Sequence, residues 1–410
     1  MKVLGVVSEY NPFHNGHLYH IETAKKMCDA DYVVCVMSGN FVQRGEPALL
    51  NKWTRTKMAL LNGIDVVIEL PLPYCISSAY LFALGSMKLL NSLNIISDFC
   101  FGSEVGDIDV LKNIASTLTL EPLKYKYYLK AYLSLGYSFP KSQELSLVKY
   151  LYNNSNISDV IALPNNILGI EYLKAHAKLK SNITCHTIKR TNSYHSLNLS
   201  DTDFSSSAIR NFIKQRDFDI ENIYNYMPKS CASLLLHDMS LGLAPIFFND
   251  FNDILLSKLR CLSSKDISKI NHVNEGFENR LKKISNKAAS IDWLVSSLNT
   301  KRYTDTRIKR ILLNTLFGIT KQTFSELKPS YIRILGASTR GKELLGQISK
   351  NASLPVLLNS TDCLNLDDDA SKKLFELECL ATNIYVLAYK NNDFKYANQD
   401  LTTKFITDLP

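Results

Sequence analysis

Residues 6–21 read VVSEYNPFHNGHLYHI: an apolar run, a polar turn through Asn11 and Pro12, then His14 and His17 three apart around Gly16. The residues ahead of it, KVLGVV (2–7), form an unbroken apolar strand, and HLYHIETAKKM (17–27) spaces its apolar positions as a helix does. In an open parallel sheet, the loop after the first strand commonly carries phosphate-binding groups. A helix beginning near His17 aims free backbone N–H groups and the positive end of its dipole at an anion. Gly16 removes the side chain where a nucleotide must approach the backbone. The imidazoles can donate hydrogen bonds to phosphate oxygens and supply charge where it develops as phosphorus is attacked. One histidine in such a place reads as a surface residue or a helix cap. Two, spaced H-x-G-H behind a first strand, read as a nucleotide site.

Outward from this stretch, strand-like runs DYVVCVM (31–37), GIDVVIEL (63–70) and SDFCFGS (97–103) alternate with helix-like NKWTRTKMALLN (51–62) and SSAYLFALGSMKLLNSL (77–93). Strands that are apolar throughout, rather than at every second residue, are covered on both faces. The expected fold is therefore α/β, a Rossmann-like doubly wound parallel sheet. Residues 107–180 turn mainly helical, and NITCHTIK (182–189) reads as a further strand. DTDFSSSAIRNFI (201–213) reads as a loop whose hydroxyls cap a helix. Beyond it helical patterns dominate, with SYIRILGAS (330–338) and LPVLLNS (354–360) as short strand candidates. This places a catalytic domain at 1–216 and a mostly helical C-terminal domain at 217–410.

The chain has 410 residues, 46% of them hydrophobic and 21% charged, which suits a globular protein of two domains and excludes a disordered or fibrous one. No apolar run is long enough for a signal-peptide core or a membrane span, so a cytoplasmic location is expected. Nine scattered cysteines, none spaced C-x-x-C, read as reduced and mostly buried thiols, with no metal site. Residues 301–350 hold eleven Lys or Arg against Asp305, Glu326 and Glu343, a local excess equal to the net charge of +8 for the whole chain. Lys301, Arg302, Arg307, Lys309 and Arg310, followed by Arg333, Arg340 and Lys342, make this segment the candidate surface for a polyanion, although such a run is also how a solvated helix face looks.

The histidine motif resembles that of the H-x-G-H nucleotidyltransferases, and FSSSAIR (204–210) is similar to their second phosphate-binding element. There Ser205, Ser206 and Ser207 supply hydroxyls and helix N-terminal amides, and Arg210, one turn in, can reach the β- or γ-phosphate. The lysine of a K-M-S-K-S loop is absent, so Arg210 has to carry much of that charge stabilisation.

Further segments, MSGNFVQRGEPALLNKWTRTKMAL (37–60), IELPLPYCISSA (68–79), FGSE (101–104), LPNNILGIEYLKA (163–175) and IKRTNSYHS (188–196), together resemble the bacterial tRNA(Met) cytidine acetate ligase family. The resemblance covers the first 210 residues densely and continues more weakly through YIRILGASTRGKELL (331–345). It implies activation of acetate by ATP to acetyl-adenylate, then acetylation of the exocyclic amine of the wobble cytidine in elongator tRNA(Met). It also implies an ATP site made of Val7, Glu9, Tyr10, Asn11, Pro12, Phe13, His14, Gly16, His17 and His20, with Gly102, Asn166, Lys189 and Arg190. Catalysis falls to His14, His17, Ser206 and Arg210, with Mg²⁺ carried by the triphosphate. Gln43 and Arg44 lie in the loop after the second strand, where acetate or the cytidine could be positioned, and equally where a polar surface loop would be. Two rivals stay open: an adenylyltransferase for a phosphorylated metabolite, and a non-catalytic RNA-binding module on the same scaffold.

Overall fold

Strands that are apolar on both faces require two covering layers, and the computed structural model supplies them. It describes residues 1–151, 157–190, 205–215, 221–274 and 276–407. Among these the strands are β1 (Val3–Ser8), β2 (Tyr32–Ser38), β3 (Phe41–Val42), β4 (Glu46–Pro47), β5 (Val66–Leu70), β6 (Asp98–Ser103), β7 (Thr184–Lys189), β8 (Ile332–Ala337) and β9 (Val356–Leu357). Seven form one sheet in the order β7-β6-β1-β2-β5-β8-β9, while β3 and β4 make a separate antiparallel hairpin. From β7 to β5 all neighbours are parallel.

The pleat sorts each strand into two cores. Val34 and Val36 of β2 and Val66 and Ile68 of β5 face one layer, with the helices Ala79–Ser92 and Pro164–Leu179. Val33, Cys35 and Met37 face the other, with Ile21 of the helix Asn15–Cys28, Met58 of Lys52–Leu60 and Ile209 of Ser206–Lys214. The sequence expectation of a doubly wound α/β sheet holds. Six of the nine thiols are buried, and among the described residues no helix is long and apolar enough to cross a membrane.

The later half of the chain does more than add helices. After the mainly helical stretch that ends at Glu326, β8 returns to the sheet antiparallel to β5, and β9 pairs with it. The division expected at 216/217 lies outside the described residues, as do Asp201–Phe204 of the loop and Thr191–Ser196 of the IKRTNSYHS segment. The sheet itself spans both sides of that division.

Where β8 meets β5, a charge cluster is sealed from water. Lys52 Nζ lies 2.8 Å from Glu69 Oε1 and 2.6 Å from Asp400 Oδ1, and Arg333 Nη2 lies 2.5 Å from the same Asp400 oxygen. Arg333 Nη1 reaches Glu69 at 3.2 Å and Glu378 at 3.7 Å. Burial raises the Glu378 carboxyl far above its ordinary range, whereas Arg333 and then Lys52 hold Asp400 down at about 2 against the opposing effect of burial. Arg333, expected on an RNA-binding surface, is thus a core residue: β8 is buried along its whole length, and Arg333 meets the carboxyl groups of Glu69, Glu378 and Asp400 there.

Removing one partner from such a cluster leaves the others uncompensated. Arg333→Ala is expected to lower the unfolding free energy in urea by about 3–5 kcal/mol and to leave the salt dependence of RNA binding unchanged. A fall in that salt dependence without a loss of stability would return Arg333 to the surface.

Candidate active site

The helix after β1 starts at Asn15, two residues earlier than expected, because His14 caps it. His14 Nδ1 accepts from Gly16 N at 3.0 Å, and His17 Nδ1 accepts from His14 N at 3.2 Å, a reciprocal capping box built from two imidazoles. These bonds assign the tautomers: with both Nδ1 atoms accepting, each ring carries its proton on Nε2. The rings lie 3.8 Å apart, and Tyr10 and Phe13 pack against His17 at 5.0 and 5.5 Å.

Both rings line a cavity of about 870 Å³ at the C-terminal ends of β1, β6 and β7, a volume that suits a nucleotide with a second small substrate. Val7, Glu9, Tyr10, Asn11, Gly16, His20, Gly102, Lys189 and Arg190 line it as well, as do Ser206 and Arg210 from the far side. Ser206 Oγ donates to Pro12 O at 3.3 Å, and Arg210 Nη1 donates to Asn11 O at 2.7 Å, so the Ser205–Arg210 segment grips the loop that leads to the histidines. Ser205 caps the helix Ser206–Lys214 by accepting from Ala208 N.

Three expected nucleotide residues have other work. Phe13 is fully buried, and Pro12, buried within the loop, is outside the lining. Asn166 is wholly engaged: its Oδ1 accepts from Glu104 N and Val105 N, and its Nδ2 donates to Val160 O. Its neighbour Asn165 lines the cavity instead, held by Glu104 Oε1 at 2.7 Å. One step along a helix turns a side chain by about 100°, enough to exchange wall for core.

Electrostatics divides the roles. Burial, then Arg190 and Arg210, pushes His14 down to about 3; burial and Arg190 bring His20 to about 4; and His17 lies well below the usual histidine range. Burial thus favours the neutral, N–H-donating form of these imidazoles, against the expectation that they supply charge, and the cations that line the cavity are Arg44, Lys189, Arg190, Arg210 and Arg310. Glu9, the one acid in the lining among the described residues, is raised by burial and accepts from Gln43 N at 2.6 Å.

Gln43 and Arg44, in the turn of the β3–β4 hairpin, reach the cavity. The hairpin is pressed against the helix Asp305–Leu316, where a Cβ on Gly45 (φ +79°) would lie 2.5 Å from Arg310 N. Arg310 Nη1 donates to Ser77 O at 3.0 Å and lines the cavity, and Lys309 pairs with Glu46. Arg307 rests on Tyr303 and donates to His272 O, while Lys301 and Arg302 are exposed nearby. Arg340 donates to Asp31 O, ahead of β2 and hence at the opposite end of the sheet. The expected continuous basic surface is thus split, because β8 runs antiparallel and carries Arg340 and its neighbours away from the cavity.

Sequence reasoning missed Arg55. It has no solvent exposure, and it donates to Leu50 O, Glu9 O and Ser38 O at 3.0, 2.7 and 3.0 Å and also to Gly39 O. The available signal was a charged residue on the helix face that also carries Met58 and Ala59.

The profile of HIGH nucleotidyl transferases matches residues 1–400. The tRNA(Met) cytidine acetate ligase of Acetivibrio thermocellus is 46% identical over 414 aligned residues, covering 99% of this chain and 100% of its own. That of Thermoanaerobacter pseudethanolicus is 44% identical over 394, with 96% of each covered. The crystal structure of Thermotoga maritima TmcAL bound with alpha-thio ATP superposes with a TM-score of 0.90 at 35% identity over 99% of both chains, and the apo form with 0.93 at 34% over all of both. The chain belongs to the HIGH nucleotidyl transferases and, within them, to the tRNA(Met) cytidine acetate ligase family.

Proposed function

We propose that this chain is an ATP-dependent ligase that activates acetate as acetyl-adenylate and acetylates N4 of the wobble cytidine of elongator tRNA(Met). The observation that carries the reading is the pair of Nε2–H donors of His14 and His17 on one wall of a cavity that also holds Arg190 and Arg210, in a chain whose relatives bear that name. A reaction that consumes ATP and tRNA belongs in the cytoplasm.

In the first step a carboxylate oxygen of acetate attacks the α-phosphorus, the bond to the bridging oxygen breaks, and pyrophosphate leaves. Acetate is already an anion at neutral pH, so no general base is required. The chain's contribution is orientation and charge: the imidazole N–H groups and the Ser206–Ser207 helix start meet phosphate oxygens, and Arg210, fixed by Asn11 O, neutralises negative charge on the leaving side. Mg²⁺ bound to the triphosphate would supply further charge neutralisation. With Glu9 the one acid in the lining, the described residues offer no carboxylate set for the ion, which would therefore be held by the phosphates. In the second step the cytidine amine attacks the acyl carbon, the carbon–oxygen bond to AMP breaks, and the amine gives up a proton. The base must leave its stack to reach the cavity.

The assay is direct. Protein, ATP, labelled acetate and unmodified bulk tRNA are incubated, the RNA is digested, and label is sought in N4-acetylcytidine. ATP-dependent label is the expected outcome; label that never enters RNA sinks the reading and redirects the search to pyrophosphate release with phosphorylated metabolites.

Replacing His14 and His17 by alanine is expected to slow pyrophosphate release by roughly 10²-fold or more, with tRNA affinity retained. Equal losses in both would mean that the pair only holds the fold.

The neutral state of the histidines is checked by ¹⁵N spectroscopy of the imidazoles. His14 should keep the Nε2–H neutral pattern and His20 should stay neutral from pH 8 to 5, since their folded values lie near 3 and 4. Because these values are below the unfolded value of about 6.5, the histidines contribute stability that is complete above that pH and falls as acid is added. Protonation between pH 6 and 7 would contradict the burial argument.

A further inference from the structure

Between β6 and β7 the chain leaves the sheet at Glu104 and returns to the cavity rim at Asn165, the Glu104 carboxylate tying Asn165 and the buried Asn166 to that exit. Within this excursion the helices Leu123–Ser134 and Phe139–Tyr150 pack as a hairpin, and the short helix Ile157–Ala162 links it to Pro164 in the cavity wall.

The first hairpin helix, LKYKYYLKAYLS, buries only Tyr125 and carries no acidic residue. Its outer side is unusual for a surface: Leu123 is 88% exposed and Tyr127 70%, with Lys124, Lys126 and Lys130 interleaved, and Leu135 at the turn is 72% exposed. Tyr127 lies 5.8 Å from Tyr128, and Tyr132 lies 6.2 Å from Tyr137. Glu121 and Glu144, the acids of residues 121–150, pair with Lys126 and Lys141. Lys124, Lys130 and Lys149 have no ion-pair partner among the described residues.

Such a face fits one class of partner best. A second copy of the chain would bring lysines against lysines. A membrane surface would meet an unbroken apolar stripe, whereas here rings and cations alternate. Unpaired RNA offers flat bases for the rings and phosphates for the lysines.

We propose that the hairpin 123–150 is a docking platform for unpaired nucleotides of the tRNA substrate. It rests on the ligase reading above and adds an RNA contact on the side of the cavity formed by Pro164 and Asn165, apart from the helix Asp305–Leu316.

The test uses the full chain and filter binding of unmodified tRNA, without ATP, across a salt series. Lys124→Glu with Lys130→Glu is expected to raise Kd about tenfold or more and to lower the slope of log Kd against log salt by about 2. Tyr127→Ala with Tyr137→Ala should raise Kd about tenfold with the slope kept. ATP affinity and circular dichroism should match wild type, and the milder single variants Tyr127→Leu and Lys130→Gln should show the same trends if a double variant fails to fold. Unchanged Kd and slope overturn the proposal. So do variants that alter only sedimentation, or only binding to phosphatidylcholine–phosphatidylglycerol vesicles, while tRNA affinity stays intact. A wild-type chain that binds tRNA but makes no N4-acetylcytidine refutes the ligase reading alone, and the binding comparison still decides the platform.

Discussion

Arg55 lies wholly out of water, with a guanidinium that donates to main-chain carbonyls at Glu9, Ser38, Gly39 and Leu50. Those at Glu9, Ser38 and Gly39 end β1 and β2, so one cation fixes the relative height of the two loops that wall the catalytic end. The Tyr10–Phe13 loop is then gripped from its other side by Arg210 and Ser206, and from below by Asn11 Oδ1, which accepts from Leu49 N at 2.7 Å. Each bond is local, but together they leave His14 no freedom as the helix cap. A buried charge held only by backbone dipoles is costly to desolvate, which explains why the helix Lys52–Leu60 places it where several carbonyls converge.

That scaffold decides what kind of phosphate site this is. Imidazoles that burial favours as neutral offer directed N–H donors, and such donors need no proton uptake to meet an anion. Positive charge is available from the cations of the lining, among them Arg190 and Arg210, whose guanidinium groups stay protonated at any working pH. Separating direction from charge lets the site hold its geometry before the nucleotide arrives, and reorganisation avoided in advance lowers the barrier later.

The parts of this arrangement visible in the sequence were those encoded over short distances. β1 and β2 announced themselves through continuous apolarity, and the candidate nucleotide site through the two histidines around Gly16, because periodicity and spacing along one segment are directly visible in a sequence. Residues whose meaning depends on direction were not legible. Asn165 and Asn166 differ by one helical step, and only packing tells which faces the cavity. Arg333 and Arg340 look like one basic run with Arg307, yet Arg333 belongs to a strand buried along its whole length, whose antiparallel course carries Arg340 to the opposite end of the sheet. Arg55 was hidden by its identity, since arginine on a helix ordinarily signals solvent. Residues 123–150 showed helical pattern alone, and their exposed rings became apparent only once the neighbouring elements had claimed the inward face.

The antiparallel entry of β8 has a consequence for how the chain is made. The five parallel strands are complete once Lys189 has been synthesised, but β5 stays an open edge until Ile332–Ala337 arrives about 260 residues after it. At ribosomal speeds of roughly 5–20 residues per second that interval lasts between ~13 and ~50 s, with unpaired Val66, Val67 and Ile68 offered to any passing strand. Until then Glu69 and Lys52 also wait for Arg333 and Asp400. The nascent chain therefore has a timed vulnerability at one edge of its sheet, which folding helpers in the cell would have to cover until the last quarter of the protein closes it.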